Sequence, residues 1–440
     1  MMNFKKYFAY AEKAGFSDVE FKVLASRKLT IGSFRRKIEK YEIADVETYS
    51  VRGIFNGRMT SGTTENKAGL FELIDRMAAN ASLIETEKDQ QLFAGSPKYR
   101  RKKTYSDALA KVSAEDKMNM MLSLEEKCYA YDPRIVDVQR CMYVETEEAM
   151  TIVNSKGLKL NSRTSMGAVM CGAVAREDGD TRTGMEFVMG QKMDDFDLDA
   201  IAKSACDGAL KALHGDQCRS GKYRTILHND IFADLLRIWL SAVDGENVNK
   251  GKSMLKDCLE KPAASAKLTI TEDPFTNEYP FMARTFDDEG VATSKKTIVD
   301  KGILKTFLYS MESAKEAGTE STGNGYGKGS IHTGKSCVIV RPGRKDLDQL
   351  ALSIRKGVLI TSVAGMHSGM NPVSGNFSLQ ANGYMIENGR ITTPLHLITV
   401  AGNLYDMFRD IREVGNDVKL ASFGIAAPSV TVGSLAISGK

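Results

Sequence analysis

The sequence predicts an α+β chain of several domains, with mostly antiparallel sheets and flanking helices. Three observations carry that prediction. Short segments in which apolar and polar residues alternate recur along the chain, the period of a strand with one buried face. Asn56-Gly57 and Asn388-Gly389 interrupt such segments, and these dipeptides favour two-residue reversals between antiparallel strands. The length of 440 residues, at roughly 150 per domain, points to two or three domains rather than one.

From Met1 to Lys13 the chain places Phe4, Tyr7, Phe8 and Ala11 at helical spacing and stops at Gly15, a residue suited to a helix C-terminus. Val19, Phe21 and Val23 alternate with Glu20 and Lys22, the pattern of a half-buried strand. Further strand patterns lie around Leu29–Ile31 and Tyr41–Ile43, and Tyr49, Val51, Gly53 and Phe55 run into the Asn56-Gly57 turn. Leu70, Ile74, Met77 and Ala78 share one helix face, closing a first α+β domain over residues 1–95. Residues 96–106, with the run Lys98-Tyr99-Arg100-Arg101-Lys102-Lys103, read as a solvated basic linker. A middle domain follows over 107–215. It has a helix near 114–130, strands from Val136 to Gly190 that turn at Asn154–Gly157 and Glu177–Asp180, and a helical stripe from Leu198 to Leu213. The C-terminal domain, 220–440, alternates short strands and helices. Ile231, Leu235, Ile238, Trp239 and Ala242 mark one helix, and Gly-rich loops cover 318–334 and 365–375. No repeat of fixed period is present, which argues against a solenoid.

Composition narrows the function classes. Lys and Arg number 60 against 56 Asp and Glu, a net charge of +4, whereas polyanion binders carry a concentrated basic excess. No apolar stretch approaches the ~18–20 residues that span a bilayer, and the N-terminus lacks the charged-then-apolar order of a signal peptide. Seven cysteines without a C-x-x-C pair, beside 21 methionines, read as reduced thiols in a cytoplasmic protein.

Among short motifs, Gly329-Ser330-Ile331-His332-Thr333-Gly334-Lys335-Ser336 fits the phosphate-loop pattern. The residues after it, Cys337 to Arg341 and then Pro342, are β-branched and predict a strand where such a loop needs a helix. The five histidines, His214, His228, His332, His367 and His396, include no pair one helical turn apart, as a zinc peptidase helix requires. Asp195, Asp197 and Asp199 start like a calcium loop, but Ala200 and Cys206 stand where Gly and a bidentate Glu belong; the acids suit the start of the next helix instead. Arg284 followed by Asp287, Asp288 and Glu289 beside Gly290 is either a group able to hold a cation or amine, or a charged turn.

Nine segments carry a further signal in their order and spacing: Asn154 to Leu158, Ala175 to Gly179, Phe286 to Val291, Lys301 to Leu304, Ser321 to Asn324, Asn371 to Gly375, Glu387 to Gly389, Ala401 to Asn403 and Val414 to Asp417. Taken together they resemble the TldD/PmbA family, formerly called modulator of DNA gyrase, and within it the PmbA/TldE branch. The resemblance implies a cytoplasmic proteolytic complex in which a TldD-type and a PmbA-type chain pair to process or degrade unfolded peptides. Zinc is then expected only in the TldD-type partner, on an H-E-x-x-x-H helix with a downstream Cys. The matching helix here begins His228-Asn229-Asp230 without a second His, and Gly424-Ile425-Ala426-Ala427-Pro428 replaces the Cys region. The expectation is a chain with no catalytic or metal residues and no cofactor of its own. It would pair with a TldD-type chain or with a second copy of itself and hold an extended peptide, with neither membrane nor nucleic acid as partner. Arg284, Asp287, Asp288, Glu289, Asn324, His332 and Asn371 are the candidate peptide or interface contacts. Two alternatives are a stand-alone hydrolase using Ser330 or Cys337 with His332, and a regulator of DNA-associated machinery acting through residues 98–103.

Overall fold

The structure is a computed structural model and describes residues 2–81, 83, 90–421 and 423–440. Met1 of the first predicted helix, and positions 82 and 84–89 of the first predicted domain, lie outside the described residues. The chain is mixed α and β with mostly antiparallel sheets, as the alternation predicts.

Its first sheet has six antiparallel strands: β1 (Phe16–Phe34), β2 (Lys37–Phe55), β3 (Arg58–Thr64), β4 (Ile135–Asn154), β5 (Lys159–Glu177) and β6 (Asp180–Gly190), in the order β3-β2-β1-β4-β5-β6. Strand β1 pairs with β2 on one side and β4 on the other, so one sheet spans the stretch before residue 65 and the stretch after 134. Two helical layers cover different parts of it. Helices α1 (Lys5–Lys13) and α2 (Leu70–Ala81) bury Tyr7, Ala11, Leu73, Ile74 and Met77 against Phe21 and Val51. Helices α3 (Ala114–Tyr131) and α4 (Leu198–Lys211) bury Met121, Leu124, Ile201 and Ala205 against Tyr143 and Val169. Asp197 caps α4, accepting the Ala200 N–H at 3.0 Å, the capping role expected of a short acidic side chain there. Segment 96–106 has no regular structure. Its Tyr99 hydroxyl donates to the Gly290 carbonyl at 2.7 Å, and Arg100 lies over the Phe275 ring.

The reversals follow the dipeptide chemistry. Asn56-Gly57, Asp178-Gly179 and Asn388-Gly389 all have both residues at positive φ, which Asn, Asp and Gly tolerate and which matches the strand twist. The β1–β2 reversal at Arg35-Arg36 adopts the same conformation, although arginine gives no turn signal.

From residue 221 onward two further sheets form. One contains β8 (Ile270–Glu272), β9 (Lys296–Asp300), β10 (Ile303–Leu304), β13 (Val338–Val340), β18 (Lys419–Ala421) and β19 (Ile425–Ala427), with β13 central between β8 and β19. The other contains β7 (Gly221–Leu227), β14 (Gly357–Ala364), β15 (Asn376–Glu387), β16 (Arg390–Asn403), β17 (Ile411–Val414) and β20 (Val430–Ser438). Pairing of β16 with both β15 and β20 closes β7, β14, β15, β16 and β20 into a ring. Helix α5 (Asn229–Trp239) packs in the core that both sheets share. There Trp239 stacks on Phe408 at 5.2 Å between ring centroids. Shorter elements of the region include α6 (Gly245–Asn249), α7 (Met311–Ala317), α8 (Leu347–Ile354) and a small hairpin of β11 (Gly325–Tyr326) with β12 (His332–Thr333).

Candidate functional site

Strand register places four residues in one row across the first sheet: Ser61 on β3, Arg52 on β2, Glu20 on β1 and Asn154 on β4. In sequence the polar partners of Val19 and Phe21 read as a solvent face. Glu20 is instead 1% and Lys22 8% exposed, because the turn at residues 287–291 lies over them. The Arg52 guanidinium donates to Glu20 Oε1 through Nε at 3.0 Å and Nη2 at 2.5 Å, and its Nη1 stands 3.6 Å from Glu289 Oε1. Lys22 Nζ lies 3.4 Å from Asp288 Oδ2 and also donates to the Gly327 carbonyl. Sequence reasoning flagged Asp288 and Glu289 of this contact and missed Glu20 and both cations.

Within the turn the three acids have different tasks. Asp287 Oδ1 accepts the N–H groups of Glu289 and Val291, and Oδ2 that of Gly325 at 2.8 Å. Three N–H donors favour the carboxylate, yet complete burial, reinforced by the neighbouring Glu289, pushes the Asp287 carboxyl up to about 8. Burial also raises the Glu289 carboxyl, against the pull of Arg52. Glu289 Oε2 accepts the Met311 N–H at the start of α7, 2.7 Å away, where an acid complements the helix terminus. Arg284 is half-buried beside this turn.

Asn324, fully buried, ties the turn to the second sheet. Its Nδ2 donates to both carboxylate oxygens of Glu272 and to the Gly334 carbonyl, and its Oδ1 accepts from the Thr322 hydroxyl. Glu272, 1% exposed, also meets Lys296 Nζ at 3.0 Å and accepts from the backbone and hydroxyl of Ser336.

An open cleft of about 800 Å³ lies next to this network. Met59, Ser61 and Arg52 form its first-sheet side, and Met311, Ile331 and His332 line it from the C-terminal region, with Glu289 at the junction. His332 is exposed, its Nδ1 3.6 Å from Glu246 Oε2. Thus Glu289 and His332 reach the same cleft, while Asp287, Asp288 and Asn324 belong to the network beside it and do not line it. Asn371 is not brought to it: the Asn371 carboxamide accepts the N–H groups of Val373 and Ser374 within its own loop.

The phosphate-loop pattern at 329–336 leads into strand β13 and not a helix, and Lys335 Nζ is paired with Asp244 at 2.5 Å. Cys337 is fully buried and burial pushes its thiol up to about 12, which disfavours the nucleophilic thiolate. At the head of α5, His228 has Nδ1 3.8 Å from Asp230 Oδ2, and burial lowers its pKa. Lys419 Nζ lies 3.3 Å from the same Asp230 oxygen and 2.7 Å from Glu186. Ala233, five residues after His228, is buried. Among the described residues no three His, Cys, Asp or Glu side chains converge as a metal-binding group.

Residues 220–439 match the PmbA/TldA metallopeptidase C-terminal domain, and residues 107–213 match the central domain of the same group. The chain belongs to the PmbA/TldD family of metallopeptidases. Metalloprotease PmbA of Escherichia coli O157:H7 is 28% identical over 332 residues, covering 75% of this chain and 71% of that protein. A PmbA homologue of Buchnera aphidicola subsp. Baizongia pistaciae is 29% identical, over 72% and 68% of the two chains. Among solved structures, a Thermotoga maritima protein proposed as a modulator of a DNA gyrase superposes with a TM-score of 0.88 at 31% identity, covering 98% of each chain. TldE from Thermococcus kodakarensis shares the fold, with a TM-score of 0.90 at 22% identity over 99% of each chain. In the PmbA/TldD frame, α5 is the helix on which the TldD-type pattern would place its two histidines. Here those positions are His228 and Ala233, and the Lys419 ammonium already serves the acids beside them. These residues do not fit a zinc centre.

Proposed function

We propose that this chain is a PmbA/TldE-type subunit that carries no zinc. It pairs with a TldD-type chain, or with a second copy of itself, and holds an unfolded peptide in extended form for cleavage on the partner. The observation that carries the reading is the α5 site: Ala233 replaces the second histidine, and Lys419 bridges Asp230 and Glu186 at 3.3 Å and 2.7 Å. A cation bound there by two carboxylates competes with a metal for the same charge. The cleft beside β3 supports the peptide role. Among the described residues β3 is an edge strand of its sheet, and an edge can pair with an extended backbone without reading its sequence. All seven cysteines are free thiols, Cys258 alone being more than slightly exposed, which supports a reducing cytoplasm. Among the described residues no helix is long and apolar enough to cross a membrane.

The test measures zinc content and peptidase activity of the purified chain, alone and mixed with a TldD-type chain. Zinc-free, inactive protein that supports cleavage only in the mixture is expected. Stoichiometric zinc with robust cleavage by the chain alone would overturn the reading.

A further inference from the structure

The basic run at residues 98–103 reads in sequence as a solvated linker, yet its last two residues line a pocket of about 370 Å³. Residues 161–164 of β5 and residues 283–286, just ahead of the acidic turn, form the other walls. Four cationic side chains face this space, Lys102, Lys103, Arg163 and Arg284, and among the described residues no aspartate or glutamate lines it. Ser162, Thr164 and Thr285 add hydroxyl groups to the wall. A concave site lined by one sign of charge concentrates the field on whatever enters it.

The acids that would neutralise these cations are engaged elsewhere. Asp287, Asp288 and Glu289 follow Arg284 closely in sequence. Asp287 nevertheless accepts three backbone N–H groups, Asp288 faces Lys22 at 3.4 Å and Glu289 faces Arg52 at 3.6 Å. The half-buried Arg284 guanidinium is left with no ion pair or side-chain hydrogen bond among the described residues. It carries five N–H donors and no acceptor, and a charge held partly out of water without a counter-charge is costly. Lys102 Nζ donates to the Asn277 carboxamide oxygen at 2.5 Å, a neutral partner that leaves its charge uncompensated. Asp107, the acid nearest Lys103 in sequence, is held by Lys111 at 2.8 Å. Arg163 does meet an acid, Glu147 at 3.2 Å. The walls are fixed in place: the Thr104 hydroxyl donates to the Arg163 carbonyl at 2.6 Å, and the Arg284 N–H donates to the Pro274 carbonyl at 3.0 Å.

We infer that this pocket binds an oxyanion, the carboxylate or phosphate group of a small ligand, gripped by Arg284 with Lys102 and Lys103. A guanidinium fork matches either oxyanion through two parallel N–H···O bonds, and charge-assisted bonds of this kind are the strong ones. A nucleic-acid backbone is disfavoured, because its footprint is a basic stripe over a face, whereas these cations gather in one hollow of a chain with a net charge of only +4. The inference stands on the pocket and its charges and does not depend on the peptidase reading.

Calorimetric titration of the full chain at low salt tests it with three probes: inorganic phosphate, N-acetyl-dialanine with a free carboxylate, and the same dipeptide as its amide. One phosphate or one free-carboxylate dipeptide is expected to bind per chain with a dissociation constant in the millimolar range or tighter, and the amide is not. Binding of phosphate alone identifies a phosphorylated ligand, and binding of the free dipeptide alone identifies a carboxylate. Arg284→Gln should weaken binding about tenfold, the equivalent of about 1.4 kcal/mol, without lowering the urea midpoint, since its guanidinium has no protein partner to strand. Lys103→Gln, at an exposed position, should weaken it about threefold, as for a solvated ion pair, and keeps the test open should Arg284→Gln fail to fold. Absence of binding by both anions overturns the inference, as does an affinity unchanged in both variants. Equal binding of the free and amidated dipeptides without phosphate binding overturns it too. So does a single-stranded oligonucleotide that binds far more tightly than phosphate and loses that affinity in Arg284→Gln, which would make the basic segment a nucleic-acid surface instead.

Discussion

Arg52 on the second strand of the chain and Glu289, more than two hundred residues later, face each other at 3.6 Å with side chains 11% and 7% exposed. Arg52 also grips Glu20, so one guanidinium neutralises a carboxylate of its own sheet and one of the turn packed on it. Its planar fork suits this double duty, which a lysine ammonium would serve less well. Arg52→Met would leave two buried carboxylates without their counter-charge. The expected loss is about 3–5 kcal/mol of unfolding free energy, the range for breaking a buried pair from one side, read as a lower urea midpoint.

The same turn sets a pH dependence. Asp287 is raised to about 8 and Glu289 is raised as well, both chiefly by burial. Raised acids bind more protons in the folded than in the unfolded chain, so stability falls as pH climbs toward the folded value. His228 and His396 are lowered by burial; their effect has the opposite sign and is complete above about pH 6.5, the unperturbed histidine value. From about pH 6.5 to 8 the urea midpoint should therefore fall. Asp287→Asn should be less stable at each pH, because its amide meets the Gly325 N–H, and its profile should be flatter in that window.

Asn324 offers a test of the neutral part of the network. Asn324→Ala removes donors from Glu272 and from the Gly334 carbonyl and leaves both buried. Glu272 keeps Lys296 and Ser336, so about 1–3 kcal/mol of stability should be lost, the cost of the Gly334 carbonyl left without its donor. Asn324→Asp should cost more, since it sets a second carboxylate against Glu272. Thermal unfolding of the two variants distinguishes these outcomes.

What the sequence discloses here follows from the range of each signal. Turn chemistry is local, so Asn56-Gly57 and Asn388-Gly389 mark their hairpins. Helix periodicity is local too, so the stripe from Ile231 to Trp239 marks α5. Strand length is less legible: β1 and β2 read as several short strands, yet each runs 19 residues, because their outer halves keep polar residues on both faces and lose the alternation. The site is hardest to read. Glu20, Lys22 and Arg52 alternate with apolar residues as solvent-facing residues do, and only the distant 287–291 turn buries them. Glu272 and Lys296 are hidden for the same reason. The Asp287–Glu289 cluster is visible because its acids are adjacent, but which charges they meet is decided by tertiary packing.

The cleft makes a separate prediction for the PmbA/TldD reading. Ser61 is exposed on β3, lines the cleft and makes no contact essential to the sheet core, its backbone pairing with Arg52 being independent of the side chain. Ser61→Trp would fill space beside Met59 and Met311 without leaving a buried group unpaired. Stability should change by less than about 0.5 kcal/mol, as for surface substitutions generally. If an extended peptide must pass this wall, cleavage of an unfolded peptide by the mixture with a TldD-type chain should fall about tenfold, as expected when about 1.4 kcal/mol of binding is lost. Co-purification of the two chains should be unaffected. Unchanged cleavage by Ser61→Trp would place the peptide elsewhere on the complex.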